Sequence, residues 1–139
     1  MEKLFGTDGI RARAGEFPLN KKTVQIIGAS LARRFSERLR RTPRFVTGRD
    51  TRESGEWIER AIHSGARMEG AEIESASVIT TPGVAFSARH FAFDAGIVIS
   101  ASHNPFEDNG IKVFLPDGKK LDEATERLVE SDIFDETIN

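Results

Sequence analysis

Residues 96–114 read GIVISASHNPFEDNGIKVF: an unbroken apolar run, a polar loop with a serine in its middle, and a second strand pattern carrying a lysine. Ile97, Val98 and Ile99 are not separated by polar residues, which is the pattern of a strand buried on both faces. Strands of that kind belong to sheets covered by helices on both sides, and open α/β sheets place their chemistry just beyond the strands' carboxyl ends. Ser102 stands at such an end.

The remaining segments fit the same architecture. Val24, Ile27, Leu31, Phe35 and Leu39 recur at spacings of three and four, marking one buried stripe on a helix from about Lys21 to Arg40 that Pro43 stops. Arg44 to Gly48 is a short strand delivering the polar turn Arg49-Asp50-Thr51-Arg52. Ser54 is the expected cap of a second helix, with Trp57, Ile58, Ala61, Ile62 and Met68 inward and Gly70 closing it. Ile73 to Ile79 is the next strand. Thr81 as N-cap and Pro82 at the first helical position then announce a helix to about Phe91. After the strand Ala95 to Ser100, Asn109-Gly110 reads as a turn before a strand Ile111 to Leu115, Pro116-Asp117-Gly118 as another turn, and Asp122 as the start of a last helix through Leu128 and Val129. Strands alternating with helices imply a three-layer α/β/α domain with a mixed, mostly parallel sheet. The mixture comes from Ile111 to Leu115, which follows its predecessor after a loop and pairs with it antiparallel.

A chain of 139 residues and 15.4 kDa suffices for one domain, residues 1–139, with a single core. It has no cysteine, so thiolate metal sites and disulfides are excluded and a reducing, cytoplasmic location is the expectation. The opening MEKLFGTDGI lacks a signal-peptide core, and no run approaches the roughly 18 apolar residues of a membrane span, so a soluble protein without membrane contact is expected. Charge is unevenly spread about a net value of −2: Arg33, Arg34, Arg38, Arg40, Arg41 and Arg44 cluster early, and residues 122–139 are rich in Asp and Glu. The arginines lack interleaved aromatics beyond Phe35, which favours a solvated helix face over a nucleic-acid patch. The acidic end reads as a surface helix followed by a tail.

Three polar segments flank strand ends or the chain entry: Phe5 to Arg11, Gly48 to Arg52 and Ser100 to Lys112. Their glycines permit close approach of a ligand, and their arginines, lysine and loop amides form a combination suited to phosphate. A serine-hydrolase role for Ser102 would need a G-x-S-x-G elbow or a histidine able to take its proton. Ser-Ala-Ser-His-Asn is no such elbow. His103 is the adjacent residue, and adjacent side chains in an extended segment point apart. His63 and His90 lie in helix patterns as surface or packing residues. A phosphoryl-carrying serine fits better, because that chemistry asks for positioning and charge neutralisation. Lys112 is then a candidate proton donor and acceptor, and Arg11 a candidate oxygen holder. A loop whose Ser, Asn and Pro only make turn hydrogen bonds also accounts for these residues. Spacing alone does not separate the two readings.

Four motifs bear on that choice: FGTDGIR at Phe5 to Arg11, GRDTR at Gly48 to Arg52, TTPGVA at Thr80 to Ala85 and SASHNPFEDNGIKVF at Ser100 to Phe114. In their order, and across nearly the whole chain, they resemble the α-D-phosphohexomutase superfamily, and within it the branch acting on glucosamine phosphate. The resemblance implies that Ser102 is a phosphoserine exchanging its phosphoryl group with a hexosamine or hexose phosphate through a sugar bisphosphate. It implies that Lys112 does general acid or base work, that Arg11 lies near the phosphoserine and that His103 contacts the reacting region. A magnesium ion would take one ligand from the Ser102 phosphate, and the domain could form a homodimer. The complete reaction would feed UDP-N-acetylglucosamine and the cell wall.

The resemblance covers only the first, phosphoserine-bearing domain of four. The metal loop, sugar loop and phosphate loop of domains II–IV have no counterpart after Lys112, and Asp122, Glu123 and Glu126 do not replace the metal aspartates. Two departures are local: Ala12 stands where glycine usually follows FGTDGIR, and Ser100 replaces a more usual threonine while keeping the hydroxyl. Phosphoglucomutase or phosphomannomutase activity is the alternative within the class. An inert folding or dimerisation module is the alternative outside it.

Overall fold

A computed structural model describes residues 2–138 of the chain. Alternation along each strand sets which face its residues reach, and this builds the sheet outward from its centre. In β4 (Ala95–Ile99), Ala95, Ile97 and Ile99 enter the larger core cluster, while Val98 enters a smaller one on the opposite face. β2 (Arg44–Arg49) lies parallel to β4 and divides likewise, Phe45 to the larger cluster and Val46 to the smaller. β3 (Glu72–Val78) extends the parallel set beyond β2. On the other side of β4 lie β5 (Asp108–Phe114) and then β1 (Ile10–Arg13), each antiparallel to its neighbour. The order is β1-β5-β4-β2-β3, so among the described residues four strands share a direction and β5 alone opposes them. This is the mixed, mostly parallel sheet of a three-layer α/β/α fold.

Helices α1 (Lys21–Leu39) and α2 (Gly55–Met68) cover the face of the larger cluster, where Phe35 meets Phe45 edge to face at 5.3 Å. The two helices cross on glycine: a Cβ on Gly28 would lie 2.3 Å from the Ile62 carbonyl oxygen, and one on Gly65 1.9 Å from that of Gln25. α3 (Thr81–His90) covers the other face, packing chiefly on β2 and β4. A buried polar network ties α2 to the sheet. Glu59 accepts from Thr47 Oγ1 at 2.7 Å, Ser75 Oγ at 2.8 Å and Arg49 Nη1 at 2.6 Å, and His63 Nε2 meets the same Thr47 hydroxyl at 2.7 Å. His63 is thus a packing histidine, its pKa lowered by burial.

The acidic end differs from expectation. It forms α4 (Glu123–Ile138), which docks on α1 with Val129 and Ile133 in the core and with Glu126, Glu130 and Asp132 buried. The carboxylates find partners rather than water. Asp132 pairs with Arg34 at 2.6 Å and accepts from Ser30 Oγ at 2.6 Å, Asp122 pairs with Arg38 at 2.8 Å, and Glu130 accepts from the backbone amides of Leu4 and Phe5 at 2.7 and 2.8 Å. Much of the arginine cluster therefore pairs with protein carboxylates while staying on a solvated face, Arg38 and Arg41 being exposed and Arg34 the most covered.

Smaller corrections follow from local competition. β1 was not expected, because Ile10 is its one fully buried apolar residue and its pairing is supplied by β5. Asn109-Gly110 lies inside β5 instead of forming a turn: a Cβ on Gly110 would come within 2.6 Å of the Ser100 carbonyl, so only glycine lets the strands close there. Ser54 makes no capping bond, because its Oγ accepts from Asn109 Nδ2 at 2.8 Å. The cap of α3 is Thr80 rather than Thr81, with Oγ1 accepting from Gly83 N at 3.2 Å. Met68 is 75% exposed at the end of α2 and not inward.

Gly65→Ala should destabilise the domain by about 1–3 kcal/mol through overpacking of the helix crossing, read as a lower urea midpoint. A second expectation concerns acid. Burial pushes the Asp132 carboxyl up, but hydrogen bonds from Arg34 and Ser30 and the charges of Arg34 and Arg33 outweigh it and hold the group below its ordinary value near 3.8. A depressed carboxylate stabilises the fold above its unfolded pKa, and that contribution is lost as pH falls through the folded value. The stability gap between the wild-type chain and Asp132→Asn should therefore hold from about pH 7 to about pH 5 and shrink below about pH 4 in urea titrations.

Candidate active site

β5 separates core from chemistry by its own alternation. Ile111 and Val113 enter the larger cluster, so Lys112 and Phe114 lie on the opposite face. In β1, Arg11 stands opposite Gly110 in register, which puts it on the same face as Lys112 and diagonal to it. Gly9, at φ 85°, passes so close to β5 that a Cβ would lie 2.3 Å from the Ile111 carbonyl oxygen. That close passage brings Asp8 to Lys112, with Oδ1 3.8 Å from Nζ, while the same ammonium lies 5.0 Å from the Phe114 ring centroid. Both charged groups are solvent-exposed enough that the pair contributes little to stability.

Ser102 sits in the loop between β4 and β5, exposed, at φ 52°. A serine in that left-handed region costs about 1–2 kcal/mol and persists where its surroundings over-determine it. Here they do. The Ser102 N–H donates to Ser100 Oγ at 3.1 Å, and its carbonyl accepts from Arg52 Nη2 at 2.8 Å. Ser100 Oγ in turn donates to Asp50 Oδ2 at 2.7 Å. The Ser102 hydroxyl lies 3.4 Å from Arg11 Nη2, and Arg11 Nη1 lies 3.5 Å from Asn104 Oδ1. Asn104 ties the loop to Asp108, with Nδ2 3.3 Å from Oδ2.

Arg52 anchors the loop from below. Its Nη2 also donates to the Asn104 carbonyl at 3.1 Å, its Nη1 donates to those of Pro105 and Asp108 at 2.7 and 3.1 Å, and its Nε donates to Asp50 Oδ2 at 3.1 Å.

The structure thus brings Ser102 and Arg11 into contact and sets Lys112 on the same face. His103 is exposed beside Ser102. In sequence the GRDTR segment reads only as a source of cations. A guanidinium that binds an anion and one that binds carbonyls are identical in sequence, so Arg52 and Asp50 received no role, and Ser100 counted only as a retained hydroxyl. No group of three or more His, Cys, Asp or Glu is placed to hold a metal among the described residues. Two acidic side chains of the loop's hydrogen-bond network, Asp50 and Asp108, are engaged by Arg52, Ser100 and Asn104. The chain alone therefore does not fit a complete metal site. The Ser102 hydroxyl is an exposed oxygen on this loop. No helix among the described residues is long and apolar enough to cross a membrane.

Comparison with known proteins gives a consistent picture. A family model described as "Phosphoglucomutase/phosphomannomutase, alpha/beta/alpha domain I" matches residues 2–139. A phosphoglucosamine mutase of Koribacter versatilis (strain Ellin345) is 52% identical over 134 residues, which are 96% of this chain and 29% of that protein. One of Deinococcus radiodurans is 50% identical over 133 residues, 94% of this chain and 29% of the relative. Among solved structures, a phosphoglucomutase/phosphomannomutase family protein from Burkholderia thailandensis superposes with a TM-score of 0.79 at 26% identity, covering 97% of this chain and 30% of that one. A Paramecium phosphoglucomutase, parafusin, shares the fold at 20% identity with a TM-score of 0.74, over 95% of this chain and 25% of its own. The chain spans less than a third of the length of these relatives.

Because Ser102 is exposed and its fixed groups are backbone atoms, Ser102→Ala should leave the unfolding free energy within about 0.5 kcal/mol of wild type in urea titration.

Proposed function

The chain belongs to the phosphoglucomutase/phosphomannomutase family, and from that premise we propose that it is the phosphoserine domain of a magnesium-dependent phosphohexomutase acting on glucosamine phosphate. The observation that carries this reading is Ser102: an exposed hydroxyl on a backbone held from both sides, with the Arg11 guanidinium 3.4 Å away. Phosphoryl transfer asks a protein for that kind of positioning and charge, with little covalent chemistry of its own.

In this reading the Ser102 phosphate passes to a hydroxyl of a hexosamine monophosphate. The P–Oγ bond breaks as the new P–O bond to the sugar forms, the sugar hydroxyl gives up its proton, and Ser102 Oγ regains one. The other phosphoryl group of the resulting bisphosphate later returns to Ser102, so that the net change moves phosphate between the 6 and 1 positions. Lys112 is proposed as the proton carrier, Arg11 as the cation on the phosphate oxygens and His103 as a contact of the reacting region. A magnesium ion, a hard cation suited to phosphate oxygens, would take one ligand from phosphorylated Ser102 and the rest from outside this chain. The relatives' named activity on glucosamine phosphate favours that sugar over glucose or mannose phosphate. Domain I of four, a cytoplasmic location and a homodimer through this domain belong to the same proposal.

Incubation of the purified chain with glucose 1,6-bisphosphate and magnesium should add one phosphate, mapped by peptide mass to Ser102, and Ser102→Ala should abolish it. A chain that stays unmodified would count against phosphoryl carriage and for an inert folding or dimerisation module. Isomerisation of glucosamine 6-phosphate by the 139-residue chain alone should be negligible, because turnover needs the bisphosphate retained and turned by metal and sugar contacts outside this chain, whereas a single phosphoryl uptake driven by excess bisphosphate does not. Robust turnover would contradict the proposed division of labour.

A further inference from the structure

We propose that Arg52 is the positioning residue of this site: it holds the phosphoserine loop by its carbonyl groups and so fixes the Ser102 hydroxyl for transfer. The inference rests on the phosphoryl-carrier reading of Ser102 and adds a role that neither the motif nor the family match assigns.

A guanidinium has five N–H groups in a rigid plane. Arg52 uses all of them: Nε on Asp50, Nη1 on the carbonyls of Pro105 and Asp108, and Nη2 on the carbonyls of Ser102 and Asn104. None is left for a ligand, so Arg52 is not a phosphate clamp. That separates it from Arg11, whose Nη2 approaches the Ser102 hydroxyl.

The four carbonyls span the loop from Ser102 to Asp108, and one rigid group therefore dictates its whole path. Asp50 completes the device, because it accepts from both Arg52 Nε and Ser100 Oγ, while Ser100 Oγ accepts from the Ser102 N–H. The donor and the acceptor of Ser102's own backbone thus both lead back to the Asp50–Arg52 pair. This closed circuit is what keeps a non-glycine residue at φ 52° on the surface. A cation beneath four carbonyl dipoles also offsets their negative ends, which would otherwise oppose a phosphate dianion on the same loop. Lysine cannot reproduce the arrangement, having three donors on one flexible nitrogen.

The test is Arg52→Lys, which keeps the charge and removes the planar fork. Two measurements are made on the purified chain: amide hydrogen exchange across residues 101–108, and single-turnover phosphate uptake from glucose 1,6-bisphosphate with magnesium at several concentrations. The loop amides of the variant should exchange faster. The saturating uptake rate should fall by about a hundredfold, as expected for a misplaced reacting group, with the half-saturating concentration within about threefold of wild type. The final phosphorylated fraction should match wild type, since that amplitude reports folded protein and a purely structural defect would lower it instead. Failure of either the exchange or the rate to change overturns the proposal. A wild-type chain that takes up no phosphate defeats the mutase reading by itself, and loop exchange then decides the role of Arg52 alone. Should Arg52→Lys lose its cooperative unfolding transition, Asp50→Asn, which breaks the circuit at its other member, is measured in the same way with the same two outcomes.

Discussion

A strand has two faces, and β5 must use both at once. Ile111 and Val113 seal the larger core while Lys112 and Phe114 stand on the other side, so the register of this one strand fixes the core and the site together. A slip of one residue would exchange the two sets, burying a lysine and exposing an isoleucine. The register is held from both edges, by β4 and β1, and by glycine at 110, where no larger residue fits between the Ser100 and Ile10 carbonyls. Because it runs antiparallel to β4, β5 also starts from the rim that β4 has just reached. The loop between them is thereby closed at both ends.

Within that frame the loop is organised from beneath. Short loops on strand ends carry chemistry because a rigid scaffold positions them. Here the scaffold reaches into the loop itself through Arg52 and Asp50, residues delivered by β2. Two neighbouring parallel strands thus cooperate, one supplying the reactive hydroxyl and the other its support. Arg11 comes from a third strand, β1, and Asp8 from the segment entering it. The candidate site is a property of the sheet's topology, and it is as precise as the register that brings these strands together.

How much of this was legible in sequence depends on whether burial or partnership decided the matter. Ile97 to Ile99 declare a strand by an unbroken apolar run and Val24 to Leu39 a helix by the period of their burial, and both signals are local information. Ser102, Arg11 and Lys112 were named from motif and chemistry, and the structure shows Ser102 beside Arg11 and Lys112 on the same face. β1 and the inclusion of Asn109-Gly110 in β5 were hidden, since both depend on what lies across the sheet. The acidic end shows the same limit in electrostatic form. Glu and Asp in a helix suggest solvent, yet Asp132 and Asp122 answer Arg34 and Arg38 on α1. Two clusters that looked like separate surface features are each other's counterions. Arg52 is the clearest case, because nothing in GRDTR distinguishes a hand that grips a ligand from one that grips its own backbone.

The bonds from Glu130 to the amides of Leu4 and Phe5 join residues 126 and 125 positions apart. During synthesis, the segment that carries Asp8 and leads into Arg11 must wait for almost the entire chain before its anchor exists, and β1 likewise waits for β5. Contacts this remote in sequence carry the larger loop-closure cost, which the central strands and helices, with nearer partners, do not. The Ser102 loop and its Arg52 support are joined across 50 to 56 positions, whereas the segment leading to Arg11 is anchored across 125 or more. The reactive surface is completed only when the two ends of the domain meet.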